Sequence, residues 1–294
     1  MTTRENPLAE FDRYRPLLFS IAYRMLGAVA DAEDMVQETF IRWQQASGEE
    51  VRSPKAFLVT IISRLCINQL ESARARREEY VGEWLPEPVV TDPAADPLEI
   101  FRVDESLSIA FLTVLERLNP LERAVFLLHE VFEYEYGEIA AALERSEANC
   151  RQILKRAREH VREARPRLKA PNPGHDKLLE KFLEATRSGD LEGLMSLLSA
   201  DVVLHTDGGG KGPALPHRVQ GAEKVARAAL GGLHRLPKRP SGYVLQINGE
   251  NGLVSYIDGR PFGVITLDTQ DGRIRAIYVV TNPDKLTHLP APPQ

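Results

Sequence analysis

Six side chains between positions 149 and 158 have the types and spacing to bind a nucleic acid: Asn149, Arg151, Gln152, Lys155, Arg156 and Arg158. Asn, Gln and Arg pair two-pronged with base edges, while Lys and Arg hold phosphates. Interleaved with them, Cys150, Leu154, Ala157 and Val161 recur at helical spacing. The spacing predicts a helix with one apolar and one basic side. Just upstream, Ile139, Ala142 and Leu143 form a short apolar helix face, Glu144 and Arg145 make a turn, and Ser146 is a good N-cap. This is the layout of a helix-turn-helix whose second helix can enter a major groove. The turn lacks the glycine that is common there. The plain alternative is an amphipathic hairpin with a solvated basic face.

Charge distribution favours the first reading. The chain as a whole is acidic, with a net charge of −5. Residues 145–169, however, hold nine Lys or Arg and three Glu, a local +6. Residues 78–144 hold sixteen Asp or Glu and three Arg, a local −13. A nucleic-acid binder needs a basic surface and not a basic average. The acidic stretch offers a way to shield basic faces.

The remaining composition narrows the field. With 294 residues, two or three compact units are expected. Hydrophobic content of 43% and charged content of 27% fit an ordinary globular protein. No apolar run is long enough for a transmembrane span, and MTTRENPLAEFDRYRP lacks the apolar core of a secretory signal, so a cytoplasmic location and no membrane are expected. Cys66 and Cys150 fall at apolar helix positions and read as core residues. No metal spacing and no phosphate-cradling loop is present in the sequence, and no cofactor is expected.

The elements that must position the basic helix begin at the N-terminus. Leu8, Phe11, Leu18, Phe19, Ala22, Tyr23 and Leu26 recur at three- and four-residue spacing, and Gly27 is a plausible stop. The next helix places four acids, Asp31, Glu33, Asp34 and Glu38, within eight residues, with Met35, Val36, Phe40, Ile41 and Trp43 supplying its apolar side. Ser53-Pro54 opens a third helix that runs through Phe57 to Leu70 and ends in Arg74, Arg76 and Arg77.

The ordered set DAEDMVQETFIRW, SPKAFLVTIISRL, ARARRE and LNPLERAVFLL, followed by the helix-turn-helix, resembles a bacterial extracytoplasmic-function (ECF) sigma factor. It covers about residues 8–165, with region 2 followed by region 4. The resemblance implies that Asp34, Gln37, Glu38, Phe40 and Arg42 dock on core RNA polymerase, at the clamp helices of its β-prime subunit. It implies that Asn68, Gln69, Arg74, Arg76 and Arg77 face the −10 element of promoter DNA. The second helix of the helix-turn-helix would read the −35 element. Asn68 stands where the family usually has Asp, and Glu71 where a basic residue is often found, which puts the −10 base preference in doubt.

A proline-rich acidic segment follows region 2. Residues 79–104 contain WLPEP, Asp92-Pro93 and Asp96-Pro97 and argue against regular structure. Trp84, Leu85 and Pro86 are unusual in a spacer and can dock elsewhere. Beyond Arg165-Pro166 and Pro171-Asn172-Pro173-Gly174, two helices are predicted, around Leu178–Thr186 and Leu191–Leu198, then a strand at Val202–Leu204 and a helix after Gly221. Four strands follow, at Tyr243–Ile247, Leu253–Ile257, Gly263–Leu267 and Ile274–Val280, with Asn248-Gly249, Asn251-Gly252, Asp258-Gly259 and Asp271-Gly272 as turn signals. Helices and an antiparallel meander indicate an α+β unit.

Residues 176–282 resemble the SnoaL-like domain of the NTF2/ketosteroid-isomerase superfamily, a curved antiparallel sheet over helices around a pocket. The DGGGK run (Asp207, Gly208, Gly209, Gly210, Lys211) and the NPDKL tail (Asn282, Pro283, Asp284, Lys285, then Leu286) match an ECF subgroup that also carries WLPEP and a fused SnoaL-like domain. The resemblance implies that these residues and Trp84, Leu85 and Pro86 form an interdomain regulatory contact, with the DGGGK loop touching the sigma part, and that the pocket can take a small ligand. His205, Asp207 and His217 are the acid/base candidates of that domain. Catalysis is not expected, because fold alone does not give function.

The expected architecture is therefore multidomain. Two all-α domains, sigma region 2 (1–78) and the helix-turn-helix region 4 (105–168), are separated by an acidic linker (79–104). A short linker (169–175) leads to an α+β SnoaL-like regulatory domain (176–294). The rival reading is a one-component regulator with a helix-turn-helix and a ligand-sensing domain. A SnoaL-type enzyme with a DNA-binding appendage is a second.

Overall fold

The computed structural model describes residues 7–46, 51–77, 80–91, 107–164, 174–234, 236 and 238–292. The chain divides into two compact units: residues 1–78, 93–102 and 112–167 form one, and residues 79–92, 103–111 and 168–294 form the other.

The first unit is helical. Helices α1 (Pro7–Leu26), α2 (Val29–Gln45) and α3 (Pro54–Arg77) bury Leu18, Ala22, Leu26, Val36, Trp43, Leu58, Ile62 and Cys66 against one another. Rings lock the joints: Phe11 meets Phe40 at 4.8 Å and Trp43 meets Phe57 at 5.9 Å between centroids. Gly27 ends α1 with φ +71°, and its N–H returns to Tyr23 O. That left-handed turn is cheap only without a Cβ. Ser53 Oγ accepts the Ala56 N–H, so Ser53 caps α3 as its position before Pro54 predicts.

The rest of this unit is the helix-turn-helix and its support. Helix α4 spans Ile109–Leu115, and its residues from Leu112 on belong to this unit. Helix α5 (Pro120–Phe126) starts with a capping box in which Asn119 and Glu122 satisfy each other's backbone N–H. A π-helical turn (Leu127–Val131) extends it. Then come α6 (Tyr136–Leu143) and α7 (Glu147–Ala164). Between α6 and α7, Glu144 takes the left-handed conformation, φ +53°, that a glycine would adopt without strain. Ser146 Oγ accepts the Asn149 N–H and caps α7.

The second unit packs helices on a six-stranded sheet. Helices α8 (His175–Ser188) and α9 (Leu191–Leu197) lead into β1 (Leu198–Asp207). A short β2 (Val219–Gln220), α10 (Ala222–His234) and the meander β3 (Ser241–Ile247), β4 (Glu250–Ile257), β5 (Arg260–Gln270) and β6 (Arg273–Val280) follow. The strand order is β2-β1-β6-β5-β4-β3.

Three expectations are corrected here. The sheet is mixed and not purely antiparallel, because β1 pairs in parallel with β6, for example Leu204 with Ile277. A parallel neighbour needs a long crossover, and the chain from α10 through β5 supplies it. Asn251-Gly252 is not a turn: Gly252 lies inside β4, opposite Leu245. A Cβ there would come within 2.9 Å of Ile265 O, so close strand approach explains this glycine. Finally, β1 starts at Leu198 and absorbs the end of the second predicted helix. The other three Asn-Gly or Asp-Gly pairs do turn the chain, with positive φ at both residues of each.

The two sheet faces are covered differently. One face buries Leu198, Val202, Leu204, Leu267, Ile274 and Ile277 against α8, α9 and α10. The other buries Ile247, Val254, Tyr256, Val264, Ala276, Tyr278 and Val280. Leu85, Ile109 and Ala110 cover this second face together with Leu286 and Leu289 of the C-terminal tail. The expected 79–104 spacer is thus divided: its described part, residues 80–91, belongs to the C-terminal unit. It has no regular structure beyond a bridge from Val90 to Ile247.

Candidate nucleic-acid interface and a linker-holding site

Helix α7 seats its apolar side and presents its basic side. Cys150, Ile153, Leu154, Ala157 and Val161 are buried. Burial pushes the Cys150 thiol pKa up, so this cysteine packs as a small hydrophobe. Arg151, Gln152, Lys155, Arg156 and Arg158 are exposed, and Asn149 is half-buried. Arg151 pairs with Glu147 one turn back (2.7 Å) and Arg158 with Glu130 (2.5 Å). Such exposed pairs are weak and exchangeable for phosphate. All six residues lie on this one helix, with their polar groups available.

The other surface residues lie in the same unit. On α2, Asp34, Gln37 and Arg42 are exposed and Glu38 and Phe40 half-buried, with Arg42 Nε donating to Glu38 Oε1 at 2.8 Å. On α3, Asn68 is exposed and Gln69 half-buried. Arg74, Arg76 and Arg77 close that helix, and their side chains lie outside the described residues. Within this unit α3 also ties to the helix-turn-helix. Arg64 donates to Ala142 O (2.8 Å) and pairs with Glu144 (3.0 Å).

The second unit holds a buried polar cluster centred on Asp207, which is fully buried at the end of β1. Alternation along the strand sends Leu204 to the helix-covered face and His205 and Asp207 to the other. Asp207 Oδ1 accepts from Tyr80 Oη (2.6 Å) and from Gly209 N (3.1 Å). Its Oδ2 accepts from Leu85 N (2.8 Å) and Lys285 Nζ (2.7 Å). Lys285 Nζ also donates to Leu85 O (2.5 Å) and sits over the Trp84 ring at 4.1 Å. Asn282 Nδ2 donates to Tyr80 Oη (2.9 Å). Burial, and then the bond to Asp207, raise the Tyr80 pKa, so Tyr80 stays a donor. A buried charge is tolerable only when paired and hydrogen-bonded, and this one is fully engaged.

The WLPEP residues and the two C-terminal motifs therefore meet within one unit. Leu85 and Pro86 are buried and Trp84 half-buried. The triple glycine has a steric reason: a Cβ on Gly208 would lie 2.3 Å from Gly212 O, and one on Gly209 would meet the Asn282 side chain. Gly210 approaches Val81 of the linker. Lys211 pairs with Asp284 (2.5 Å) on the exposed rim, beside the exposed Pro283. Both acid/base candidates on β1 are engaged with the linker: Asp207 as above, and His205 through Nδ1 to Glu83 Oε1 at 2.8 Å. His217 is exposed.

Several residues of this site escaped the sequence reading. Tyr80 and Glu83 flank WLPEP and reach partners more than a hundred positions away. By its sequence, Asn248-Gly249, Asn248 is a turn residue. Its side chain accepts from Val89 N (2.9 Å) and donates to Leu107 O (3.0 Å), so it holds the chain between α3 and α4 at two points. Nothing in local spacing marks such pairs. Among the described residues, no group of three or more His, Cys, Asp or Glu could hold a metal ion, and no helix is long and apolar enough to cross a membrane.

A three-helix bundle followed by a helix-turn-helix with an exposed basic face defines a sigma-type pair of DNA-binding regions. Sequence comparison agrees: residues 11–76 match Sigma-70 region 2, and residues 108–161 match Sigma-70, region 4. The chain belongs to the ECF RNA polymerase sigma factors. It is 39% identical to the ECF RNA polymerase sigma factor SigJ of Mycobacterium tuberculosis, over 96% of this chain and 94% of that one. It is 30% identical to the probable ECF RNA polymerase sigma factor SigI of the same species, over 99% and 98%. The crystal structure of M. tuberculosis SigJ superposes with a TM-score of 0.79 at 36% identity, covering 95% of this chain and 98% of that one. The likeness therefore extends through the C-terminal unit.

Proposed function

We propose that this chain is an alternative sigma factor that binds core RNA polymerase and directs it to selected promoters, under control of its C-terminal unit. The observation that carries the reading is the exposed basic face of α7 on a buried apolar seat, inside a chain related to ECF sigma factors along its whole length. In this reading Asp34, Gln37, Glu38, Phe40 and Arg42 form the polymerase-binding side of α2. Asn149, Arg151, Gln152, Lys155, Arg156 and Arg158 contact the −35 element. Asn68 and Gln69, with Arg74, Arg76 and Arg77, face the −10 element, the amides toward splayed bases and the arginines toward phosphates.

Control runs through the segment that joins the two DNA-binding regions. Residues 80–91 and Leu107 are held by Asp207, Lys285, Asn282 and Asn248. A held segment limits how far regions 2 and 4 can separate, and release shifts the population toward forms that span a promoter. The test is initiation in vitro with core polymerase on a promoter pool, comparing the full chain with one cut near Pro173. Promoter-specific transcripts from either are expected, in different yields. No transcripts, with tight operator binding by the chain alone, would instead favour a one-component regulator.

A further inference from the structure

His288 faces more acceptors than a neutral imidazole can serve. Its Nδ1 lies 2.7 Å from Glu87 Oε1, and its Nε2 lies 2.8 Å from the carbonyl oxygen of Pro88. A neutral imidazole carries a single N–H. A ring with one N–H can satisfy one of these two contacts and not both; only the imidazolium, with a proton on each nitrogen, satisfies the ion pair to Glu87 and the hydrogen bond to Pro88. With one proton fewer, two lone pairs face each other across one of the contacts.

His175 and His205 do not share the feature. His175 places Nε2 2.8 Å from Asn251 O, but its Nδ1 faces Thr269 Oγ1 at 3.5 Å, a hydroxyl that can donate. His205 contacts Glu83, and Arg218 shares the same carboxylate oxygen at 2.8 Å, so that carboxylate has a permanent cation. The carboxylate against His288 is that of Glu87 on the linker, and the tail also carries Asp284 and Lys285. Asp284 pairs with Lys211, and Lys285 with Asp207. The sheet contributes Tyr256, whose hydroxyl donates to Pro290 O. Glu87 itself is 7% exposed.

We propose that His288 and Glu87 form a proton-dependent clasp that fastens linker residues 80–91 to the C-terminal unit more tightly at acid than at alkaline pH. The sign follows from proton counting. The held pair binds one more proton than a released linker with a carboxylate and a neutral ring. Holding is therefore fully developed below about 6.5, where a free histidine is itself charged, and fades as pH rises above that range. The regulatory consequence rests on the proposed function: a sigma factor whose linker is released by alkalinisation gains activity with rising pH. The clasp itself does not depend on that reading.

Hydrogen exchange of the full chain, read by mass spectrometry on peptides covering residues 85–91 and normalised for intrinsic exchange, tests it. The Leu85 and Val89 amides are both bonded across this contact region. Between pH 5.5 and 8.5, the protection of this segment is expected to fall about tenfold, as for loss of one charge-assisted hydrogen bond. His288→Gln and, independently, Glu87→Gln flatten that dependence, while His175→Gln retains it. A flat profile in the unaltered chain, or a slope that survives in both clasp variants, overturns the proposal. Because the readout is linker protection, the result stands apart from whether the chain initiates transcription.

Discussion

Helix α7 and the linker-holding cluster both concentrate charge, and they use it in opposite ways. On α7 the guanidinium groups of Arg151, Arg156 and Arg158 sit more than half exposed, even where the partner, as Glu122 for Arg156, is buried. Water screens them, so they add little to stability and remain free to exchange a carboxylate for a phosphate. In the second unit Asp207 is fully buried and Lys285 nearly so, and they hold each other and the backbone of Leu85. There the same kinds of group decide where a segment of chain lies. Exposure, and not residue type, separates a binding surface from a fastening.

That comparison can be broken from its strong end. Asp207→Ala leaves Lys285, Tyr80 and the Leu85 N–H without their shared acceptor, and breaking a buried pair in this way costs about 3–5 kcal/mol. Unfolding followed at Trp84 in a Trp43→Phe background measures it, and a loss below about 1 kcal/mol would mean that the cluster does not hold the linker. Leu85→Ala removes a fully buried side chain and is expected to cost about 3 kcal/mol by the same measurement.

The surface end of the comparison predicts small stability effects and large binding effects. Arg156→Ala is expected to leave the melting curve nearly unchanged, because its pair to Glu122 is long (4.0 Å) and solvent-exposed on the arginine side. Titration of promoter-bound holoenzyme against salt should show a log–log slope smaller by about 1 if Arg156 holds a phosphate. The smallest stability change is expected for Arg42→Ala, which breaks only an exposed pair with Glu38, worth about 0.5 kcal/mol. Its effect belongs in a pull-down with core polymerase. Undiminished binding there would remove Arg42 from the polymerase-facing side of α2.

The sequence by itself determined the local elements. Periodicity, Ser53-Pro54 and Ser146 place α3 and α7, and the helix-turn-helix face of six polar residues is readable because helical spacing puts them on one side. The meander is readable from Asn-Gly and Asp-Gly turns, whose positive φ needs those residues. The parallel pairing of β1 with β6 was not readable, since nothing in either strand names its neighbour. Periodicity does not place residues 80–91 either; only the family resemblance sets Trp84, Leu85 and Pro86 against the DGGGK and NPDKL motifs. Tertiary structure decided which atoms of Asp207, Asn248, Lys285 and His288 hold residues 80–91, because each bond joins positions more than a hundred residues apart, or, for Lys285 to Asp207, two elements with a whole meander between them. Local patterns record what a residue does to its own helix or strand. A buried polar contact is fixed only when the fold brings a donor to an acceptor and removes the water that would otherwise satisfy both.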